Sequence, residues 1–404
     1  MSGKDQTVGR ETTDLNYQFL TTLAMTAEEF RPRDLPNGWD RSPETDPRRW
    51  LTKTTETAYF DLSCDSRKRA EYFLRELSAP APRDDDIQGR NRRDLIRLLR
   101  KNPLFLEEAV FTKELDARAE SILQQYGLGQ LLIAGDICYL SDDLMRLLYL
   151  LSGDARLLVE CLSGNEMYAP QPAYADSDAY TLLRSPHIAR NEEALAVPMK
   201  NVGPIRKKYL SHLGYVLMVD SRSLIPERLG GADYDGDLIK TVADPLLNEC
   251  VRRGYENGTP PLLKIPAAEP VLADARDWPA LFQTVKSTFS SRVGQISNAA
   301  LRRGLVAYDE NAEGAEKERA RQDTEVLCIL TGLEIDSAKS GVKPDLTEYL
   351  EEAVGRKSLF LRYKSIVKDK SERKWYEQTE YARLKPFFAS ADWERVWKSC
   401  RARF

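Results

Sequence analysis

Residues 230–237 read GGADYDGD and directly precede the apolar run LIKTV at 238–242. Three aspartates, Asp233, Asp235 and Asp237, stand two residues apart in this segment, and a glycine lies between the last two. In an extended strand their carboxylates would share one face and repel one another. In a tight loop, which the glycine permits, they converge, and carboxylate oxygens are the ligands that Mg²⁺ takes beside substrate phosphates. The segment therefore predicts a loop that binds Mg²⁺, or Mn²⁺ in its place, for metal-dependent nucleotidyl transfer.

Three other interpretations of the acidic segment are open. An EF-hand calcium loop starting at Asp233 would need glycine at its sixth position and glutamate at its twelfth, where the sequence has Leu238 and Asp244. A phosphatase-like DxDG nucleophile follows an apolar strand, whereas Gly-Gly-Ala precedes Asp233 here. A solvated acidic turn is the common fate of a short aspartate cluster, but the apolar flanks and the double glycine favour a packed loop.

Composition and charge exclude several classes of protein. Apolar residues make up 42% of the chain, and 59 Lys and Arg against 63 Asp and Glu leave a formal charge of −4, so the chain is not mainly disordered. The most apolar run, around residues 144–151, is far shorter than the ~20 residues of a membrane span. The N-terminus lacks the apolar segment of a secretory signal. We therefore expect a cytoplasmic protein with no membrane partner and with its six scattered cysteines reduced.

Histidine is scarce, since the chain has only His187 and His212. Neither lies in an HExxH motif or in a nucleophile elbow, so the sequence does not favour a histidine-based zinc site or a nucleophile activated by histidine. His187 is expected to form structural hydrogen bonds rather than to act as a general base. The chemistry of this protein is therefore expected to rely on carboxylates, cations or metal ions.

The hydrophobic pattern divides the chain into three regions. Apolar residues at three- and four-residue steps predict a mainly helical N-terminal region, 1–154. Residues 155–250 contain short apolar runs, including 157–162, which are separated by Gly, Pro, Asn and Asp in the manner of strands. The last region, 251–404, is mainly helical again and ends in a basic and aromatic tail. Its predicted helices cover residues 278–304, 316–333 and 345–354.

Four segments resemble motifs of the two-barrel RNA polymerases. GADYDGD at 231–237 resembles the metal-binding motif that multisubunit RNA polymerases share with the cell-encoded RNA-directed RNA polymerases of gene silencing and their bacterial and phage relatives. LRSPH at 183–187 resembles the Arg-x-Pro element of the same barrel. LNYQ at 15–18 and LEIDSAKSG at 333–341 resemble the Leu-Asn-x-Gln helix and the Asp-x-x-Lys-x-Gly element of the silencing-type branch. The resemblance implies an α+β fold in which residues 155–250 form a double-psi β-barrel flanked by helical regions.

The resemblance also implies roles for single residues. The three aspartates of the acidic segment would be catalytic and would hold the Mg²⁺. Arg184 would lie near the ribose of the incoming nucleotide, and the alternative is an ion pair with Glu192 or Glu193. Lys339 would approach substrate or template, and the alternative is a local salt bridge with Asp336, three residues earlier on a predicted helix end.

The activity implied by the resemblance is template-directed RNA synthesis from nucleoside triphosphates by two-metal phosphoryl transfer, with an RNA template favoured. A DNA template, as in the phage-type relatives, and a non-catalytic barrel subunit are the alternatives. The superfamily has two barrels, and the first should precede the Leu-Asn-x-Gln helix, yet only 14 residues precede Leu15. We therefore expect that a second chain supplies the other barrel, that the sequence is a fragment, or that the protein works without that barrel.

Basic residues are concentrated in two parts of the chain. Residues 180–212 contain six Lys and Arg against two acids, beside the acidic segment. The last 49 residues, 356–404, hold 14 Lys and Arg against 6 Asp and Glu, interleaved with aromatic residues. Cations pair with phosphates and aromatic rings stack on bases, so both parts are expected to face nucleic acid. For the aromatic residues of the tail, packing on the body or on a partner chain is the favoured alternative.

Overall fold

A computed structural model of the chain divides into two compact units, which are described separately. One unit contains the described residues from 52 to 133, and the other contains residues 12–24 and 134–350. None of the described helices combines the length and apolar character of a bilayer span. The tail, 356–404, lies outside the described residues, so its role stays a prediction. The residues that the structure describes are 12–15, 17–24, 52–64, 68, 72, 97–99, 101–102, 104–105, 108–127, 129–170, 177–256, 258–266, 274–288, 291–309 and 312–350.

Strands and helices both contribute to the described fold. The strands are β1 (Thr12–Leu15), β2 (Leu131–Asp142), β3 (Glu166–Tyr168), β4 (Tyr180–Arg184), β5 (Ala194–Pro198), β6 (Val216–Val219) and β7 (Leu238–Val242). The α-helices are α1 (Tyr17–Thr22), α2 (Lys53–Cys64), α3 (Ala109–Gly127), α4 (Leu144–Ser152), α5 (Pro204–Leu210), α6 (Ile225–Arg228), α7 (Pro245–Glu256), α8 (Trp278–Thr288), α9 (Val293–Ala307) and α10 (Ala315–Ser340). Among the described residues, 3-10 helices cover Ala155–Glu160 and Arg190–Glu192.

The unit between residues 52 and 133 is built on two packed helices. Along α3, Leu115, Ala119, Ile122 and Tyr126 recur at three- and four-residue steps, which sets them on one face of the helix. This face packs against α2, whose Leu62 is fully buried in the same cluster. Burial of one such leucine stabilises the fold by about 1.5–3 kcal/mol.

Six strands close into a mixed β-barrel in the second unit. Their order is β2-β6-β3-β5-β4-β7, and β7 pairs back with β2. β2 runs parallel to β6, with Tyr139 opposite Val216, and antiparallel to β7, with Tyr139 opposite Leu238. Closure pairs the backbone groups that an open sheet would leave at its edges. The predicted α+β fold with a double-psi barrel and flanking helices is therefore confirmed.

The interior of the barrel is an apolar core contributed by several strands. Leu182 of β4, Leu217 of β6 and Ile239 of β7 are fully buried in it, together with Cys138 of β2. Alternate residues of each strand point to this interior because successive side chains of a strand face opposite sides. Among the cysteines whose side chains the structure describes, Cys138, Cys161, Cys250 and Cys328 are free thiols.

The barrel differs from the sequence prediction in where its strands come from. Its longest strand, Leu131–Asp142, precedes residue 155, the start of the predicted barrel region. The predicted strand at 157–162 was wrong, because Ala155–Glu160 is a 3-10 helix whose first turn is capped by the carboxylate of Asp154. The division of the chain into three regions stays a prediction.

Arg206 is a buried structural residue and not part of a basic surface. Its side chain is 0% exposed, and its guanidinium donates to the carboxylate of Asp143 at 2.7 Å and to the carbonyl of Glu160. The carboxylate of Glu160 in turn accepts the backbone N–H of Arg206 at 2.6 Å. Lys207 and Lys208 are exposed, so only these two residues of the basic run at 206–208 remain available to phosphates.

The helices after the barrel differ in extent from their predictions. The predicted helix 278–304 is two helices, α8 and α9, and the helix predicted at 316–333 extends over the whole of α10. At the C-terminus of α10, Gly341 has a left-handed φ of 74°. Of the helix predicted at 345–354, residues 345–350 are described and are not helical, with a turn at 347–349.

Candidate metal centre

The loop between α6 and β7 carries the three aspartates, and both of its ends are anchored to the barrel. Ala232 is buried in the barrel core, and its N–H donates to the carbonyl of Pro226 at 3.0 Å. At the other end, the carbonyl of Asp237 accepts the N–H of Leu140 from β2 at 2.9 Å. The segment is thus a loop anchored at both ends, and its tip, residues 233–236, is exposed to solvent.

Glycine conformation gives this loop its tight path. Gly230 and Gly231 have φ values of 68° and 66°, and Gly236 has a φ of 122°. These positive values are rare for residues with a Cβ atom. No heavy atom lies within 4 Å of a Cβ built at Gly231 or Gly236, so the requirement for glycine at these two positions is conformational rather than steric.

The three aspartate carboxylates converge. Oxygens of Asp233, Asp235 and Asp237 all lie within 4.8 Å of one another. An oxygen of Asp237 accepts the N–H of Asp233 at 3.0 Å, and an oxygen of Asp233 accepts the N–H of Asp235 at 3.3 Å. Three negative charges at this spacing repel, and a cation among them relieves the repulsion. Because the donors are all carboxylates and two of the aspartates are exposed to solvent, the set fits a hard divalent cation.

Arg184 lies at the end of β4, opposite Ile239 of β7. Its Nη2 atom is 3.0 Å from Oδ1 of Asp237, and its Nη1 atom donates to the carbonyl of Gly230 at 3.3 Å. The guanidinium therefore contacts the first and the last residue of the segment 230–237, which we call the metal loop. The ion pair of Arg184 is formed with Asp237, whereas the sequence had offered Glu192 or Glu193 as the alternative partner. A ribose contact stays a prediction.

Lys339 lies on α10, one residue before the last residue of that helix. Its side chain is outside the part of the chain that the structure describes, so neither its predicted approach to substrate nor a salt bridge with Asp336 is tested. Both residues stay on the same helix, three positions apart, as the sequence predicted.

Behind Arg184 lies an acidic pair whose burial the sequence did not predict. The partly buried Glu192 accepts the N–H groups of Ile188 and Ala189 at 2.6 and 3.2 Å. Desolvation raises the pKa of Glu192 to about 7, against the lowering effect of its hydrogen bonds and of Arg184. Glu193 is almost fully buried, and burial raises the pKa of its carboxyl to about 8. Two adjacent glutamates are more common on a surface, so only the packing of α1 and α10 around them reveals this environment.

His187 has the structural role that the sequence predicted. It is buried, and its Nε2 atom lies 3.1 Å from the hydroxyl of Thr22 in α1. The hydroxyl of Thr22 also donates to Glu193 at 2.5 Å. Burial lowers the pKa of His187 to about 3, so the ring is neutral near pH 7. These contacts tie α1 to the barrel.

Tyr234, in the middle of the metal loop, has acidic surroundings that the sequence did not reveal. Burial raises the pKa of its phenol to about 12, and the negative charges of Asp142, Glu227 and Asp220 add to this effect. Asp142 ends β2 and accepts the N–H of Ser221 at 3.1 Å. Because β2 and β6 run parallel, their C-terminal ends meet beside the loop, and this pairing is invisible in the local sequence.

Comparisons with known proteins agree with the motifs. Residues 198–392 match the family described as RNA dependent RNA polymerase. No curated protein matches the sequence. Among solved structures, the chain is similar to the RNA dependent RNA polymerase QDE-1 from Thielavia terrestris, with 14% identity and a TM-score of 0.42, over 93% of this chain and 44% of that chain. It therefore spans less than half the length of that relative. The match to the RNA-dependent RNA polymerase family thus covers residues 198–392, slightly less than half of the chain, and includes the metal loop.

Proposed function

We propose that this chain catalyses template-directed RNA synthesis from nucleoside triphosphates on an RNA template. The observation that carries the proposal is the convergence of three aspartate carboxylates within 4.8 Å on an anchored loop of the barrel. This loop lies inside the segment that matches the RNA-dependent RNA polymerase family. The match to this family supports a nucleotidyltransferase, and the carboxylates supply the ligands that this reaction class requires.

Asp233, Asp235 and Asp237 would hold the divalent cation, which we propose to be Mg²⁺, with Mn²⁺ as a substitute. When bound, such a cation lowers the pKa of an attacking 3′-hydroxyl and stabilises charge on the transferred phosphoryl group. The residues of the chain keep the carboxylates in a fixed arrangement before substrate arrives, because both loop ends are held by backbone hydrogen bonds. Carboxylates fixed in advance need no reorganisation in the transition state.

Other residues of the chain would contact substrate without a covalent step. The planar guanidinium of Arg184, which is 23% exposed at the edge of the loop, suits a ribose or phosphate contact. Lys339 would approach substrate or template, and the exposed Lys207 and Lys208 would pair with phosphates. His187 is buried and neutral, which argues against a role as general base and agrees with a reaction that uses no side-chain nucleophile.

A second candidate is a polymerase completed by another chain. The described residues close one barrel, whereas the superfamily that the motifs resemble has two. In this case the chain would bind the cation and yet need a partner that supplies the phosphate-facing lysines of the other barrel. A DNA template, as in the phage-type relatives, is the alternative substrate for either form.

The experiment is RNA synthesis by the purified full chain with Mg²⁺ or Mn²⁺, labelled nucleoside triphosphates and a single-stranded RNA or DNA template. The assay is run alone and with a protein that carries the other barrel. We expect RNA-templated product that is lost in Asp235→Asn and kept in Asp154→Asn, which alters an exposed aspartate paired with Arg156. Product in the presence of the second protein only would favour the split enzyme. Undiminished synthesis by Asp235→Asn would overturn the metal assignment.

A further inference from the structure

Arg184 and a divalent cation have the same binding partner in the metal loop. The guanidinium is 3.0 Å from Oδ1 of Asp237, while the other oxygen of this carboxylate accepts the N–H of Asp233. We propose that Arg184 and the divalent cation compete for Asp237, so that cation binding releases the guanidinium from the loop. This inference rests on the proposed function, because it takes the three aspartates as the cation ligands.

The charges of the site support competition. Without a cation, the one positive charge of Arg184 offsets part of the negative charge of three carboxylates. A divalent cation at the same carboxylates brings two positive charges, and it is repelled by the guanidinium that shares Asp237. The pair with Asp237 is only partly shielded from water, since the side chains of Arg184 and Asp237 are 23% and 16% exposed. Exchange of partners therefore does not require either charge to cross an apolar core.

A second carboxyl group, that of Glu192, lies near Gly230 and could receive the released guanidinium. A Cβ built at Gly230 would lie 3.4 Å from Oε1 of Glu192 and 3.8 Å from Nη1 of Arg184. Glu192 and Arg184 thus both lie close to this point. The positive charge of Arg184 partly opposes the rise in the pKa of Glu192 that desolvation causes. A side chain at Gly230 would narrow the space between the two groups. Arg184 therefore has two acidic neighbours, Asp237 in the loop and Glu192 near Gly230.

The test is Mn²⁺ binding by the full chain, measured from the electron paramagnetic resonance signal of free Mn²⁺. Removal of the competing charge in Arg184→Gln should tighten Mn²⁺ binding about tenfold, which is about 1.4 kcal/mol. Arg184→Lys keeps the positive charge but loses the planar guanidinium, so its affinity for Mn²⁺ should stay within about threefold of wild type. Arg156→Gln, which removes an exposed Arg–Asp pair, is the matched control and should bind as wild type does.

A second measurement uses the wild-type chain and does not depend on the folding of a variant. Phenylglyoxal modifies accessible arginines, and mass spectrometry follows the peptide that contains Arg184. Mn²⁺ should accelerate modification of Arg184 in the wild type and leave its rate unchanged in Asp235→Asn. Equal or weaker Mn²⁺ binding by Arg184→Gln with a wild-type melting temperature, or slower modification with Mn²⁺, would overturn the competition. If the wild type and Asp235→Asn bind Mn²⁺ equally, or if neither binds it, the proposed function would be overturned instead.

Discussion

Gly231 tests whether the backbone of the metal loop, and not the carboxylates alone, sets the affinity for a cation. Its φ is 66°, and no heavy atom lies within 4 Å of a Cβ built there. Gly231→Ala therefore adds no clash, and its cost is the ~1–2 kcal/mol of holding a non-glycine residue in a left-handed conformation. The free loop can relax from that conformation, whereas cation binding requires it again. Since 1.4 kcal/mol is a factor of ten, we expect Mn²⁺ affinity to fall about tenfold.

Gly164→Ala is the matched control, because Gly164 has a φ of 57° and an equally open environment outside the loop. Gly164→Ala should lower the melting temperature by about 2–4 °C per kcal/mol for a unit of this size, and Gly231→Ala should lower it less, because its cation-free loop relaxes. Only Gly231→Ala should weaken Mn²⁺ binding, measured by paramagnetic resonance beside calorimetry of the same samples. Wild-type Mn²⁺ affinity in Gly231→Ala, or an equal loss in Gly164→Ala, would refute a role of the loop backbone.

Three further predictions concern the groups around the barrel. Arg206→Met leaves the buried carboxylate of Asp143 without its guanidinium, at a cost of ~3 kcal/mol. Calorimetry should show a melting temperature lower by about 6–12 °C, and a shift no larger than that of Arg156→Met would contradict this. Glu193 keeps its proton up to a pKa of about 8 in the fold, against 4.5 when unfolded, so stability should fall as pH rises between these values. Between pH 5 and pH 9 the melting temperature should therefore decrease less in Glu193→Gln than in the wild type. An equal decrease in both proteins would contradict the prediction. Because the pKa of Tyr234 is raised to about 12, Tyr234→Phe should keep the wild-type pH profile of RNA synthesis between pH 7 and 10.

The metal loop could be predicted from sequence because everything that shapes it is local. Its glycines occupy the positive-φ positions, and the alternate aspartates converge once the chain turns back on itself. The same holds for α3, whose apolar face follows from residue spacing. In both cases the residues that determine the structure are close together in the sequence, so neither strand pairing nor burial had to be known.

The barrel strand β2 could not be predicted in the same way. Its sequence, LLIAGDICYLSD, contains glycine and aspartates that weaken the pattern of a buried strand. What makes it a strand is pairing with β6 and β7, which lie far along the chain. The position of Asp142 beside Tyr234 depends on that pairing and was missed with it. The burial of Arg206 was missed for a similar reason. A run of basic residues predicts an exposed surface, and only the tertiary contacts with Asp143 and Glu160 show that Arg206 is buried.

Arg184 combines both kinds of information. The sequence brought attention to it through the Arg-x-Pro resemblance, but its contact with the metal loop follows from the antiparallel register of β4 and β7, which sets Arg184 opposite Ile239. That register brings the end of β4 to the last residue of the loop, so Arg184 reaches Asp237 without any signal in the loop sequence. Under the proposed competition, the other contacts of Arg184 would affect how readily Asp237 accepts a cation. Affinity for metal and affinity for substrate at this site should therefore be coupled through Arg184, and substitutions there should alter both.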